Sequence, residues 1–357
     1  MLLNKSTSSQ NGFSLVELMV GLVIGLLVTL VVMQVFSTFE GEKRTTTGSA
    51  DAQTNGSIAL FTMQRDIQMA GFGLPVFDTQ NPPLRCVPDP TDPISVDHDG
   101  DGATPEIDMF PIQITDGGGG SDTVIIRYAT DGALASGGIA VKIIGPAPAA
   151  PEVGVDTNFG CKVNDVVLLS TGSVCGMTRV THLPDSTHIT LASSAKATVG
   201  GSLTCVGQWN QFTYAIGTNQ LQRNDALTAP ATNPIVSDIV NMQAQYGISA
   251  TANSNQITAW VDATGAWANP GVTSATCDVA NANRNCIKAI HIGVIARNGS
   301  LEKEDVTTTA PEVWADIGAS TAPVIDLSGD ANWQRYRYRV YETIIPLRNM
   351  IWSRNTL

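Results

Sequence analysis

One carboxylate stands apart by its surroundings. Glu17 is the sole ionisable side chain in an apolar run from Phe13 to Phe39. A charge held in hydrocarbon costs about 2.5–3.5 kcal/mol on insertion scales, so a residue of this kind marks function. Ahead of the run lies a polar leader, Met1 to Gly12, whose one basic residue is Lys5. A secretory signal places its apolar core before the cut, with small residues at the cleavage site. Here the order is reversed. Cleavage after Gly12 leaves the apolar segment on the mature chain, whereas an uncleaved leader makes it a signal anchor.

A second group of carboxylates could bind a cation. Asp97, Asp99 and Asp101 alternate and are followed by Gly102, which matches the first half of an EF-hand loop. Ala103 falls at the position that ligates through its carbonyl. Asp108 stands at position twelve, one methylene shorter than the usual Glu. Ca²⁺ is therefore a possible cofactor, though none is required. The plainer reading is a solvated Asp/Gly turn, since Pro93 and Pro111 bracket the segment and leave no flanking helices.

Six cysteines, Cys86, Cys161, Cys175, Cys205, Cys277 and Cys286, all follow the apolar run, and none forms a CxxC pair. This pattern predicts disulfides in an oxidising compartment rather than a zinc site. Proximity in sequence favours Cys277–Cys286 and Cys161–Cys175, leaving Cys86–Cys205. No catalytic constellation is legible. The four histidines (His98, His182, His188 and His291) form neither HxH nor HExxH. Gly172-Ser173-Val174-Cys175-Gly176 has the wrong order for a nucleophile elbow. The expectation is a protein that is not an enzyme. A net charge of −12 leaves no basic surface for nucleic acid.

The elements around these residues are an N-terminal helix and a strand-rich remainder. Phe13 to Phe39 makes a helix of about 40 Å at 1.5 Å per residue, enough to cross a hydrocarbon core of roughly 30 Å. Gly21 and Gly25 are spaced for close helix packing. After Phe39 the chain turns polar, and apolar residues return at Ile58, Phe61, Met63, Ile67 and Met69. Their three- and four-residue spacings predict an amphipathic continuation docked on the downstream domain. Gly71-Phe72-Gly73-Leu74-Pro75 ends it. Downstream, 33 Gly and 18 Pro in the chain punctuate short β-compatible runs. These are 122–128, 139–144, 165–169, 178–182, 188–191, 211–216 and 287–297. Residues 235–246 read either as a helical turn or as entry into a strand. In the first half of the final run, Tyr336 to Asn349, aromatic residues alternate with Arg. That pattern fits a half-buried strand with a cationic solvated face, or else a basic patch for an acidic partner.

Gly12-Phe13-Ser14-Leu15-Val16-Glu17-Leu18 resembles the class III signal of type IV prepilins and type II secretion pseudopilins. Arg65-Asp66-Ile67 to Ala70-Gly71-Phe72, the strand ending in Arg127-Tyr128, and the closing Ile345-Pro346-Leu347-Arg348-Asn349 resemble PilW-like minor pilins. The resemblance implies cleavage after Gly12 by a prepilin peptidase and N-methylation of Phe13. It assigns Glu17 the role of compensating the terminal amine of a neighbouring subunit. Gln34 stands where many such pilins carry a helix-kinking Pro, which leaves bending open.

The implied fold class is α+β: a long N-terminal α-helix, its first half membrane-embedded, packed on a β-rich globular head with long loops. The divisions are 1–12 leader, 13–39 transmembrane and filament-core half, 40–70 amphipathic half, and 71–357 head. The implied function is a minor pilin in type IV pilus assembly or priming, in a tip complex with other minor pilins and an adhesin, supporting twitching motility and adhesion. Implied partners are other minor and major pilins through the helix, the inner-membrane assembly platform and a tip adhesin. The head would be periplasmic on a single-pass inner-membrane protein before assembly, and in the extracellular pilus after it. The alternatives are a GspJ-like pseudopilin and a membrane-anchored Ca²⁺-binding adhesin that enters no filament.

Overall fold

The computed structural model describes residues 12–74, 85–88, 107–108, 110–131, 140–145, 151–171, 174–192, 197–225, 233–250, 254, 256–268, 286–314 and 322–351. The chain divides into two compact units, Met1–Ala50 and Asp51–Leu357.

In the first unit the apolar run is helical from Leu15 onward. Helix α1 spans Leu15–Met69 and passes through Gln34 without a break. Thr29 and Thr38 donate their hydroxyls to the carbonyls of Gly25 and Gln34, four residues back, at 2.6 and 3.0 Å. Each hydroxyl is thereby satisfied inside the helix, as an apolar environment requires. By length and composition this segment can cross a membrane, and none of its most apolar window is buried by protein.

In the second unit sixteen strands follow among the described residues. They are β1 (Arg85–Pro88), β2 (Ile107–Asp108), β3 (Ile112–Thr115), β4 (Thr123–Asp131), β5 (Ala140–Gly145) and β6 (Glu152–Val155). Then come β7 (Val166–Thr171), β8 (Val174–Asp185), β9 (His188–Leu191), β10 (Ser202–Gly217), β11 (Gln220–Asp225) and β12 (Asn233–Ser237). The last four are β13 (Ile239–Ile248), β14 (Ala259–Val261), β15 (Ile287–Arg297) and β16 (Tyr338–Pro346). Residues 235–246, ambiguous in sequence, are strand. Asp238, with φ +58°, separates β12 from β13. Extended pairing of β13 with β15 outcompetes a helical turn because it satisfies the backbone along nearly the whole strand.

The strands make two sheets. The smaller has order β14-β13-β15-β16. Strand β15 is an almost uninterrupted apolar run because both of its faces are buried. In the larger sheet, β4 and β10 pair over Val124–Asp131 and Gly207–Tyr214. The buried face of α1 packs against strands of both sheets. Ala52, Ala59, Met63, Ile67 and Ala70 share a core with Ile114, Ile126, Tyr214, Met242, Tyr246, Ile292 and Ile345. The stripe expected from sequence is shifted, because Ile58 and Phe61 are 46% and 70% exposed. Small residues made the difference: a Cβ on Gly56 would lie 2.2 Å from the Tyr341 ring, so the helix turns its Ala/Gly edge to the strands.

Part of the larger sheet closes on itself. β10 pairs β5, β5 pairs β6, β6 pairs β9, β9 pairs β8, β8 pairs β7, and β7 returns to β10, all antiparallel. The result is a six-stranded barrel. Its interior holds Val141, Ile143, Val155, Leu169, Ile189, Leu191 and Leu203, none more than 2% exposed. Alternating apolar positions supply this filling, as in other small barrels. Separate short runs were legible in the sequence, but their closure was not.

Cys161 bonds Cys205, with a Cα separation of 5.3 Å. This corrects the pairings Cys161–Cys175 and Cys86–Cys205. The barrel brings β10 beside the loop after β6, so a partner 44 positions away displaces the nearer one. The Cys86 and Cys175 backbones are instead opposite each other in a parallel pairing of β1 with β8. Cys286 is disulfide-bonded. Cys277 lies outside the described residues, and the Cys277–Cys286 expectation with it.

Candidate assembly segment and its anchorage

The N-terminal segment is simple in geometry. Phe13 is 81% exposed, and the large apolar residues from Leu15 to Phe39 are each between 48% and 74% exposed. A helix apolar all round suits lipid or other helices rather than water. The Leu18 amide donates to the Ser14 carbonyl at 3.1 Å, which fixes the first turn. Glu17 is the acidic residue of that turn. The free N–H groups and positive dipole end there favour a carboxylate. Ser14 and Glu17 also have the S-x-x-E spacing of a capping box, a signal that the sequence carried. Gly12 and Phe13 precede the helix as irregular, exposed chain.

The second half of α1 is anchored to the head by buried polar groups. Asp66 is buried. The Tyr214 hydroxyl donates to its carboxylate at 2.7 Å, and Arg223 Nε lies 3.2 Å from the same oxygen. The Arg223 guanidinium stacks on Phe212 at 3.6 Å. Burial, with the Asp66 charge, pushes the Tyr214 phenol above its ordinary range and keeps it a donor. The one available signal was that Asp66 falls between Met63 and Ile67 on the inward face.

The helix end is held as tightly. Gly71, with φ +79°, ends the helix, and its amide donates to Arg127 O at 2.9 Å. Asn349 Nδ2 donates to the free carbonyls of Gln68 and Ala70 at 3.2 and 3.1 Å. The end of the chain thus caps the helix that begins it. Arg127 is itself buried, donating to Gln211 Oε1, Phe110 O and Gln113 Oε1. In the closing run Arg337 pairs with Glu302 at 3.0 Å, and Arg297 at the end of β15 pairs with Asp330 at 2.9 Å and stacks on Tyr336.

Two further buried groups titrate unusually. Asp122 accepts from the Gly117 and Ala244 amides at 2.9 and 2.7 Å and joins the loop before β4 to β13. Burial, partly opposed by those hydrogen bonds, raises its carboxyl to about 7. His291 lies between Trp314 and Trp260, at ring separations of 4.2 and 5.3 Å. Burial lowers it to about 4.

Among the described residues, no three His, Cys, Asp or Glu side chains are grouped to hold a metal ion. Asp97, Asp99, Asp101 and Ala103 lie outside the described residues, and of Asp108 only the backbone, in β2, is described.

Residues 211–349 match the family model of the type IV pilus-assembly protein W, and residues 7–33 match that of the prokaryotic N-terminal methylation motif. The first contains Phe212, Tyr214, Arg223 and Asn349; the second contains Gly12, Phe13 and Glu17. The two matches together support a PilW-like type IV pilin. No curated protein matches it. Among solved structures, the type IV-like pilin TTHA1219 from Thermus thermophilus is 13% identical, covering 53% of this chain and 85% of its own, at a TM-score of 0.23. A likeness that remote adds nothing to what the strands themselves show. The apolar helix and the methylation motif are consistent with membrane anchoring.

Proposed function

We propose that this pilin takes part in initiating the type IV pilus as a member of a tip complex with other minor pilins and an adhesin, and that its role is structural, not catalytic. The observation that carries the proposal is the union, in one chain, of a methylation-motif helix and a PilW segment. Prepilin peptidase cuts after Gly12, and the new amine of Phe13 is methylated. Subunits leave the inner membrane through the assembly platform by packing their apolar helices. In that packing Glu17 compensates the terminal amine of a neighbour, because each buried charge is costly unless paired.

The test has three arms. Mass spectrometry of the mature protein should find N-methyl-Phe13 at its start; a retained leader defeats the reading. Glu17→Ala should leave leader cleavage and membrane insertion intact while abolishing incorporation into filaments, and normal incorporation of that variant defeats the charge pairing. Deletion of the protein should reduce surface piliation and twitching rather than protein secretion.

A further inference from the structure

The Cys161–Cys205 disulfide passes over a nearer cysteine. Cys205 is 44 positions from Cys161, whereas Cys175 is only 14 positions away and lies between the two in sequence. Because Cys161 and Cys205 hold each other, any bond made by Cys175 takes a partner outside the 161–205 stretch. Such a bond crosses the first one in sequence. Backbone register selects the partner. Cys86 in β1 is directly opposite Cys175 in β8, on one rung of a parallel ladder. Opposite residues on neighbouring strands lie about 4.8 Å apart, inside the Cα range that a disulfide spans.

The unfolded chain chooses differently. The chance that two thiols meet falls as about the −3/2 power of their separation. Cys161 therefore meets Cys175 about sixfold more often than it meets Cys205. For Cys175, the advantage of Cys161 over Cys86, 89 positions away, is about sixteenfold. Synthesis from the N-terminus also makes Cys175 before Cys205. Cys277 and Cys286, nine positions apart, are nearer still and take each other. Proximity thus joins Cys161 to Cys175 and leaves Cys86 for Cys205. Only the folded barrel reverses that choice. It pairs β10 with β5 and β7 and buries Cys205 to 4% exposure among the residues of its interior.

We infer that the native bonds are reached by rearrangement, and that this chain is a substrate of a disulfide isomerase, a protein presenting a reactive thiolate. The isomerase thiolate attacks Sγ of Cys161, breaking Cys161–Cys175 and releasing the Cys175 thiolate. That thiolate attacks Sγ of Cys86, breaking Cys86–Cys205 and releasing the Cys205 thiolate. The Cys205 thiolate then attacks Sγ of Cys161 in the mixed disulfide. Cys161–Cys205 forms and the isomerase thiolate is returned. The substrate exchanges two bonds for two, with no net oxidation and no outside oxidant. Burial of Cys205 then shields its bond from further attack, so exchange stops at Cys86–Cys175 and Cys161–Cys205.

The test uses the full chain, unfolded and reduced, then diluted into detergent with oxidised glutathione. Free thiols are alkylated at timed points and the disulfide-linked peptides are mapped. The expected early product joins Cys161 to Cys175, in about sixfold excess over Cys161–Cys205. It should remain the main species until reduced protein disulfide isomerase is added. The isomerase should then convert it to Cys161–Cys205 and Cys86–Cys175, which appear about tenfold faster than without it. Cys175→Ser removes the nearer competitor, so that chain should form Cys161–Cys205 directly, with or without isomerase. Early Cys161–Cys205 in the unaltered chain, or an isomerase that changes nothing, overturns the inference. So does a Cys175→Ser chain that still needs the isomerase, or a mature protein without a Cys86–Cys175 peptide.

Discussion

The Tyr214 hydroxyl donates to the Asp66 carboxylate across 2.7 Å, linking a helix residue to a strand 148 positions later. Both groups are buried, so each depends on the other. Removing the hydroxyl leaves a buried carboxylate with Arg223 as its remaining ligand. Tyr214→Phe should cost about 1–3 kcal/mol, the usual penalty of an unmet buried acceptor. A double-mutant cycle with Asp66→Asn, followed by thermal unfolding of the head, should give a coupling of roughly 0.5–3 kcal/mol. Additive effects would show that the bond does not anchor the helix.

Close approach of α1 to β16 depends on Gly56. A Cβ there meets the Tyr341 ring at 2.2 Å. Gly56→Val should destabilise the head by about 1–3 kcal/mol through overpacking. Tyr341→Ala in the same chain should recover part of that loss, read as the thermal midpoint.

Acidity should act on the head through two opposed groups. Asp122 holds its proton up to about 7 when folded. The folded state thus binds more protons than the unfolded one above the ordinary carboxylate range, and this contribution is lost as pH rises towards 7. His291 is lowered to about 4, so its contribution is present above the ordinary imidazole value and lost as pH falls towards 4. In the window between, the two slopes offset each other. Asp122→Asn should be less stable, because an amide nitrogen replaces one acceptor of the Gly117 and Ala244 amides. It should also expose a stability that falls on acidification. His291→Phe should expose the opposite slope. Thermal midpoints measured across pH 4 to 7, the window set by those two groups, check both signs.

Non-reducing peptide mapping should recover Cys161 joined to Cys205. Cys161→Ser should destabilise the barrel by about 2–4 kcal/mol, the range expected for closing a loop of intermediate length. A peptide joining Cys161 to Cys175 would contradict the barrel.

The sequence by itself determined the N-terminal half of α1. The apolar run, the single Glu17 and the Gly12-Phe13 junction carry their meaning locally, because a membrane helix satisfies its own backbone and needs no tertiary partner. Strands such as His188–Leu191 and Ile287–Arg297 were legible from their runs for the same local reason. Tertiary structure alone decided the rest. Nothing in the sequence pairs Asp66 with Tyr214 and Arg223, which only the fold brings to it. Ile58 and Phe61 read as the buried stripe until Gly56 allows Tyr341 to approach the other edge. Cys161 reads as the partner of Cys175 until six strands close and bring Cys205 beside it. In each case the deciding contact joins residues far apart in the chain, and the free energy that selects it exists only when both have been buried together.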